Sequence, residues 1–537
     1  MYKVFDSFLF RTPYFPYSAL KDFKKDLRDP IFREMLHVAS PDLIMAIKKN
    51  ADKEKLRNSA YLYYQRACTR PTPFGLFAGC SMGIIGEHTE IQLSEQKKYK
   101  RNTRLDMDYI CALTQQIEKN RNIRELLFYY PNSSIYPVAN HFRYVEYYYK
   151  NTRREHHITQ VENSEYLQAV LTLARSGARF CDLVNILIYD EITREEAAEF
   201  IHKLIDNQVL TSELEPSVTN MYPLTALIEK LKKLSKMNNQ ITNILSEIEM
   251  QLKNIDQQAI GTTCNIYPAI IKNIEKTKIE ANIKYLFQTD MFKPVQNASV
   301  SRYLIKDIQQ GLAFLNKITA PVARTNLSLF RENYIKRYEN REMPLLFVLD
   351  NELGIGYGNK TTGDTSSLID DLLIPQRNPS SNVHQFPIQS VLLSKYQQSP
   401  QKIIELTDDD VKSVEAIWND LPDSISVMCQ ILQDNNDGRC VFIKGAGGQS
   451  ATNLLGRFCH IDEEVLNHTL SIVEKEVQLH PNTIIAEIVH LPESRTGNGC
   501  SIYLMLISEF CYFIPELSPF TVCFIKTSQY QYIFSSV

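Results

Sequence analysis

Arg66-Ala-Cys-Thr-Arg-Pro-Thr-Pro-Phe-Gly-Leu-Phe-Ala-Gly79 decides how this chain is read. Two arginines four residues apart close a helical-looking stretch from residue 43 to about residue 69. Four positions along a helix return to the same face, so the guanidinium groups of Arg66 and Arg70 can converge. Pro71 and Pro73 push Arg70 and Thr72 out of the helical region, and Gly75 permits a tight turn. The block reads as a fixed elbow that presents two planar cations and a hydroxyl, then runs into a strand ending near residue 85. Guanidinium suits bidentate binding of phosphate or carboxylate. A lone Arg-x-x-x-Arg is ordinarily a surface pair; the elbow built around this one sets it apart.

The 537 residues exceed what one core supports, and roughly two to four lobes are expected. Hydrophobic content of 44 % and charged content of 23 % are those of an ordinary globular protein. A net charge of −3 excludes a global basic field and leaves nucleic acid only a local patch. The eleven cysteines lack paired C-x-x-C spacing, which argues against zinc and against a disulfide framework. A reducing cytoplasm fits that pattern. The N-terminus carries no apolar signal core, and no run of about 18 apolar residues predicts a membrane span.

Residues 1–140 read as mixed α/β, with a strand at 7–11. From Phe142 the character changes. Residues 142–149 and 153–159 read as a hairpin, followed by helices at 164–176, 179–187 and 193–207 and a strand at 209–214. The third helix opens on Thr193 with Glu196 three residues later, a capping box. Together these form a winged-helix-like module. Glu195, Glu196, Glu199 and Asp206 outweigh Arg194 and Lys203 on that helix, so it is unsuited to reading DNA. Residues 220–340 are mainly helical, with amphipathic patterns at 224–255 and 300–316. A strand is expected at 344–350 and an exposed polar loop at 361–384. The expected fold is α+β: a multi-lobed mixed α/β domain with an inserted winged-helix-like module.

The block from Arg66 to Gly79 resembles the Arg-x-x-x-Arg-x-Thr-Pro-(Phe/Tyr)-Gly element of class I lanthipeptide (lantibiotic) dehydratases. Family-like segments follow in order across residues 1–498, which corresponds to the first half of a full-length member. The resemblance implies tRNA-dependent glutamylation: a glutamyl group passes from charged tRNA to Ser or Thr hydroxyls of a ribosomal precursor peptide, and elimination follows. It implies that Asp290, in Phe287-Gln-Thr-Asp-Met-Phe292, and Arg457, in Leu454-Leu-Gly-Arg-Phe458, join Arg66, Arg70 and Thr72 as the catalytic set. Arg11, in Phe10-Arg-Thr-Pro13, and Asp106, in Arg104-Leu-Asp-Met-Asp-Tyr109, would bind substrate, with Asp108 a nearby competitor. The module at 141–219 would grip the leader of the precursor as an added β-strand, with Tyr144 and Glu146 among its binding residues.

That chemistry suits these residue types. The donor carries phosphates and a free carboxylate that arginines can clamp, and the developing oxyanion needs positive charge. An aspartate inside an apolar strand is costly unless paired, and its carboxylate could hold the glutamyl amine or orient the acceptor hydroxyl. The resemblance implies no metal and no cofactor beyond glutamyl-tRNA as co-substrate. Its implied partners are the precursor peptide, glutamyl-tRNA, a separate elimination protein, a lanthipeptide cyclase and a second copy of the chain. The expected division is glutamylation domain at 1–140 and 220–498, leader module at 141–219, and an atypical tail at 499–537. That tail has three cysteines and only Glu509, Glu516 and Lys526 charged, and reads as truncated or out-of-frame sequence. A non-catalytic peptide-binding subunit and an inactive fragment are the alternatives. Gly445–Gly448 lacks a following Gly-Lys-Ser/Thr, Ser450 lacks a nucleophile-elbow context, His156 and His157 face opposite ways on a strand, and 434–438 lacks a calcium-loop glutamate. None of the four is taken as a site.

Overall fold

The small and apolar residues that follow the elbow form the central strand of a sheet. In the computed structural model, β1 (Ser7–Pro13) pairs antiparallel with β2 (Ala78–Gly86), from Ser7↔Ile84 to Pro13↔Ala78. Then come β3 (Glu90–Leu93) and β4 (Lys100–Leu105). The chain leaves this sheet for a module containing β5 (Phe128–Pro131), β6 (Tyr136–Val138), β7 (His141–Lys150), β8 (Arg153–Glu162), β9 (Ala178–Arg179) and β10 (Leu210–Ser212). It returns as β11 (Phe287–Phe292) and β12 (Val295–Ser301). These two are one path bent at Lys293-Pro294. The path runs parallel to β2 on one side and antiparallel to β4 and β3 on the other. The structure describes residues 2–23, 28–49, 53–150, 153–189, 192–217, 220–234, 240–262, 264–279, 282–319, 325–358, 387–398, 403–419, 421–433, 439–481 and 485. The expected polar loop at 361–384, the turn at 434–438 and the tail at 499–537 lie outside them.

Period-two alternation gives the sheet two faces. On one, Cys80, Met82 and Phe292 pack with Phe458, Cys459, Val465 and Val473, which come from turns at 451–458 and the helix Glu463–Leu479. On the other, Met291 joins a core of Tyr14, Phe32, Met35, Tyr64 and Phe77 beneath the helices Pro30–Ala39, Pro41–Lys49 and Glu54–Thr69. The stretch read as one helix from 43 to 69 is therefore two. The second ends where Arg70 turns extended (φ −106°, ψ 114°), because Pro71 disfavours the helical region for the residue before it.

Lys293 crosses this second face fully buried. Its Nζ donates to Thr12 Oγ1 and to the Pro13 carbonyl, both at 2.7 Å, and lies 4.9 Å from the Tyr99 ring centre. Burial pushes its ammonium down to about 8. The side chain passes over Gly79, where a Cβ would meet Lys293 Cγ at 2.8 Å and the Met291 carbonyl oxygen at 2.9 Å. Gly79→Ala should therefore cost about 1–3 kcal/mol of stability, read as a lower midpoint of thermal unfolding.

In the module, β7 and β8 form a hairpin from His141↔Glu162 to Lys150↔Arg153, with β6 paired to the start of β7. Past β6 the free edge of β7 is sealed by side chains. Ser134 Oγ accepts from Val145 N, and the Gln208 amide pairs with both the N–H and the carbonyl of Tyr147. β8 remains an edge strand. Helices Glu165–Ala174, Phe180–Asn185 and Arg194–Asp206 follow, the last opened by the Thr193–Glu196 capping box. β10 pairs with β5, which also pairs with β9, so the expected closing strand belongs to a second small sheet.

The described residues divide into two compact units, those of 3–305 with those from 422 onward, which contain all of the elements above, and Tyr2 with those of 306–421. The second unit is helical, with Phe330, Tyr338 and Val348 at its core. Residues 344–350, expected as a strand, carry the helix Leu345–Leu349 instead. A short unbroken apolar run has no period to read, and a helix satisfies its backbone internally where a strand would need a partner.

Candidate functional site

The arginine elbow follows from its sequence. Arg66 and Arg70 lie one turn apart at the end of the helix Glu54–Thr69, and the Arg70 N–H closes the last turn on the Arg66 carbonyl at 3.0 Å. Pro73 is buried and Gly75 adopts φ +54°, so the chain reverses and Phe77 N bonds the Phe74 carbonyl at 3.1 Å. The reversal sets the Arg66 guanidinium over the Phe74 ring, 4.7 Å from its centre. Burial and the neighbouring Arg70 charge both push the Arg66 guanidinium down. Neither arginine makes an ion pair among the described residues, and Arg66 Nε is buried with no hydrogen-bond partner there. Thr72 and Arg70 are exposed. The elbow leads into β2 at Ala78, two residues before Cys80.

A second group forms on the sheet face around Cys80. Arg11 lies opposite Cys80 in the β1–β2 register, and Asp290 lies opposite Asn102 in the β4–β11 register. Asp290 is 2 % exposed. Its Oδ1 accepts from Arg457 Nη2 at 2.9 Å, while its Oδ2 lies 3.4 Å from His460 Nε2 and 3.9 Å from Arg104 Nη2. Burial pushes the Asp290 carboxyl up, but His460, Arg457 and Arg104 together outweigh it and hold the group below the usual carboxylate range. The Cys80 thiol, pushed up to about 12 by burial, feels Arg11, Asp290 and Arg457 at once. The Phe458 ring lies near two of these cations, 5.2 Å from Arg11 Cζ and 5.5 Å from Arg457 Cζ. Arg11 Nη2 also donates to the Leu454 carbonyl at 3.2 Å.

Arg457 sits in the second of two short 3-10 turns, Ala451–Leu454 and Gly456–Phe458. The buried carboxylate of Glu476, on the covering helix, fixes the entry to these turns. It accepts from Ser424 Oγ and from Ser450 Oγ, and Ser450 in turn caps Thr452 N at 3.1 Å. Arg457 itself is nearly half exposed, so its charge reaches solvent while Asp290 stays beneath it.

The remaining expected residues are placed differently. Asp106 is buried, and both carboxylate oxygens serve the fold: Oδ1 caps the helix Met107–Glu118 by accepting from Asp108 N, and Oδ2 accepts from Gln288 Nε2 at 2.6 Å. Asp106 thus bonds a residue two positions before Asp290 on β11. Asp108 stands in the first turn of that helix. Tyr144 is buried in β7, its hydroxyl donating to the Asn207 carbonyl at 2.9 Å and pushed up to about 12 by burial and then by Glu146. Glu146 lies opposite His157 on the hairpin. So the structure sets Arg66 beside Arg70 and pairs Asp290 with Arg457, with Arg11 and Arg457 both near the Phe458 ring. No hydrogen bond or ion pair links those two groups, or links either to Tyr144 or Glu146, among the described residues.

Sequence reasoning passed over Arg104, His460 and Phe458. Arg104 stands near the end of β4, two residues before Asp106. His460 carried one signal, an imidazole in the otherwise apolar run Phe458-Cys-His-Ile461. Among the described residues no group of three His, Cys, Asp or Glu is placed to hold a metal, and no helix is long and apolar enough to cross a membrane.

Comparison with known proteins places the chain in a family. The family described as "Lantibiotic dehydratase, N terminus" matches residues 28–501. The chain is 22 % identical over 522 residues to the subtilin biosynthesis protein SpaB of Bacillus subtilis, covering 93 % of this chain and 50 % of SpaB. It is 22 % identical over 493 residues to the nisin biosynthesis protein NisB of Lactococcus lactis subsp. lactis, covering 87 % and 47 %. It thus spans about half the length of these relatives. Among solved structures, the tRNA-dependent lantibiotic dehydratase MibB from Microbispora sp. 107891 is similar with a TM-score of 0.69 and 18 % identity, covering 87 % of this chain and 46 % of MibB. The glutamylation domain of TbtB, from thiomuracin biosynthesis, is similar with a TM-score of 0.52 and 14 % identity, covering 88 % and 57 %. At these identities the structural likeness is one of fold.

Proposed function

The chain belongs to the lantibiotic dehydratase family, in its N-terminal part, and from that premise we propose that it glutamylates a precursor peptide. In this reading a glutamyl group passes from the ester of glutamyl-tRNA to Ser or Thr hydroxyls of a ribosomally made peptide, a new ester forming on the side chain as the tRNA ribose hydroxyl leaves with the proton, as the first half of dehydration. The observation that carries the reading is the elbow: two guanidinium groups one helical turn apart, with no carboxylate paired to either among the described residues, a site for phosphate or for the free carboxylate of the donor. Arg11, Arg457 and Asp290 supply the rest. Arg11 and Arg457 offer cationic donors to the oxyanion that forms when the hydroxyl attacks the ester carbonyl. Asp290 is the carboxylate available to the attacking hydroxyl or to the glutamyl amine.

The winged-helix-like module serves leader recognition. Its open edge, β8, offers a row of backbone groups to which an extended peptide can add as a further strand. Tyr144 supports that hairpin from within, and Glu146 stands on the strand beside β8. The family premise extends to a cytoplasmic setting, a separate elimination activity, a cyclase and a dimer as partners.

Mass spectrometry of a Ser/Thr-rich precursor peptide after incubation with the protein and glutamyl-tRNA tests the reading. Added glutamyl groups are expected, and an unmodified but bound peptide from a folded protein would replace it with a peptide-binding subunit. Arg70→Lys, which keeps the charge but loses the fork, should slow transfer about tenfold, the worth of one charge-assisted hydrogen bond.

A further inference from the structure

Of the three side chains that approach the Asp290 carboxylate among the described residues, Arg457, Arg104 and His460, only His460 carries no fixed charge. Its side chain is fully buried, and its Nε2 approaches Asp290 Oδ2 at 3.4 Å. Neither ring nitrogen has a completed hydrogen bond among the described residues. It follows directly on Phe458 and Cys459, which pack against Cys80, Met82 and Phe292. A leucine would fill such a position without leaving polar atoms unsatisfied, so packing alone does not account for an imidazole here.

We propose that His460 is the positioning residue for Asp290 in glutamyl transfer. The inference rests on the transfer reading given above and adds a residue to it. Asp290 has two oxygens with different neighbours: Oδ1 meets the half-exposed Arg457, and Oδ2 turns inward to His460 and Arg104. When a substrate anion draws Arg457 toward itself, the outer contact is lost, and the inner contacts alone keep the carboxylate from rotating. An N–H on Nε2 aimed at Oδ2 holds the carboxylate plane and leaves Oδ1 facing the reacting groups. A neutral donor is suited to that task. A further full cation at this distance would weaken the carboxylate as an acceptor of the substrate proton, whereas an uncharged imidazole orients it and leaves its charge in place. Burial pushes the His460 imidazolium down, and Arg104 and Arg457 add to that against the pull of Asp290, in keeping with a neutral ring.

The test compares wild type with His460→Leu, His460→Gln and His460→Asn, using a precursor peptide and glutamyl-tRNA, with kcat and KM measured separately. His460→Leu should lower kcat about 10²-fold, the usual penalty for a misaligned reacting group, with KM for both substrates unchanged. The amide of glutamine can donate from near the Nε2 position and should restore most of the rate. The amide of asparagine reaches only the Nδ1 position and should not. If His460→Leu fails to fold, the difference between the two folded amide variants still decides. Equal rates in the Gln and Asn variants, or a folded Leu variant within about twofold of wild type, would overturn the proposal. An inactive wild-type protein would instead overturn the transfer reading. Nitrogen NMR of histidine-labelled protein then decides the His460 contact by itself: an Nε2–H tautomer perturbed by Asp290→Asn supports it, and an Nδ1–H tautomer overturns it.

Discussion

Asp290→Asn should lose about 10³-fold in kcat for glutamyl transfer while keeping its affinity for the precursor peptide. Asparagine keeps the shape of the side chain and can still accept from Arg457, but it can neither take a proton from a hydroxyl nor offset the charges of Arg104 and Arg457. The two readouts separate these effects. Peptide binding is proposed for the module at 141–219, which shares no hydrogen bond or ion pair with Asp290 among the described residues, so its affinity should not move. In the proposed transfer the rate depends on Asp290 and Arg457 as a unit, because the hydrogen bond between them fixes the direction of both side chains. Arg457→Ala should therefore cost a comparable factor, and the double variant little more than the worse single one. Additive losses would show that the two act at separate steps.

The pH dependence has a definite sign. Asp290 is held below the ordinary carboxylate range in the fold, so it is ionised throughout neutral and mildly acid conditions. It contributes stability that is fully present above the unfolded-state value and is lost as pH falls through its lower folded value. An alkaline or neutral limb in the rate profile should thus remain in Asp290→Asn, whereas an acid loss of stability below the usual carboxylate range should shrink.

Some of this site was legible in the sequence because its cause is local. The elbow needs only helix period, two prolines and Gly75, and all of these act over a dozen residues. Asp290 announced itself as a charge inside an apolar strand, which requires partners without naming them. The partners could not be read. Arg457 and His460 lie more than 160 residues downstream and meet Asp290 only because the turns at 451–458 cover the sheet face on which it stands. The same limit explains β10, whose alternation was clear but whose pairing with β5 spans some 80 residues. It explains residues 344–350 as well, where an unbroken apolar run carried no period. Asp106 was found by its motif, yet its work as a helix cap depends on a backbone turn that the motif does not state.

The largest stability effect should come from the opposite face of the sheet. Arg101 precedes Asn102, the residue opposite Asp290, so strand alternation sends its side chain away from the site. There it is fully buried against Glu34. Nε and Nη2 donate to the Ile255 carbonyl at 2.9 and 2.6 Å, Nη2 also reaches the Gln258 carbonyl at 3.1 Å, and Nη1 pairs with Glu34 Oε1. Glu34 accepts further from the Tyr267 hydroxyl at 3.1 Å and from Gly261 N at 2.5 Å. One guanidinium thus ties β4 to the end of the helix Gln240–Gln257 and, through Glu34, to the helix Pro30–Ala39. Arg101→Leu removes one partner of a buried pair and leaves the Glu34 charge without its cation. The cost should be about 3–5 kcal/mol, measured as a lower midpoint in urea with the slope unchanged. Adding Glu34→Leu should recover part of that loss by removing the stranded charge, but not all, because the buried Tyr267 hydroxyl and the Gly261 N–H lose their acceptor and the Ile255 carbonyl keeps only the Gln258 N–H. Residual folded protein should transfer glutamate at the wild-type rate per molecule. A drop in that rate, at full stability, would mean that Arg101 acts through the strand on Asp290 and not through the three elements it joins.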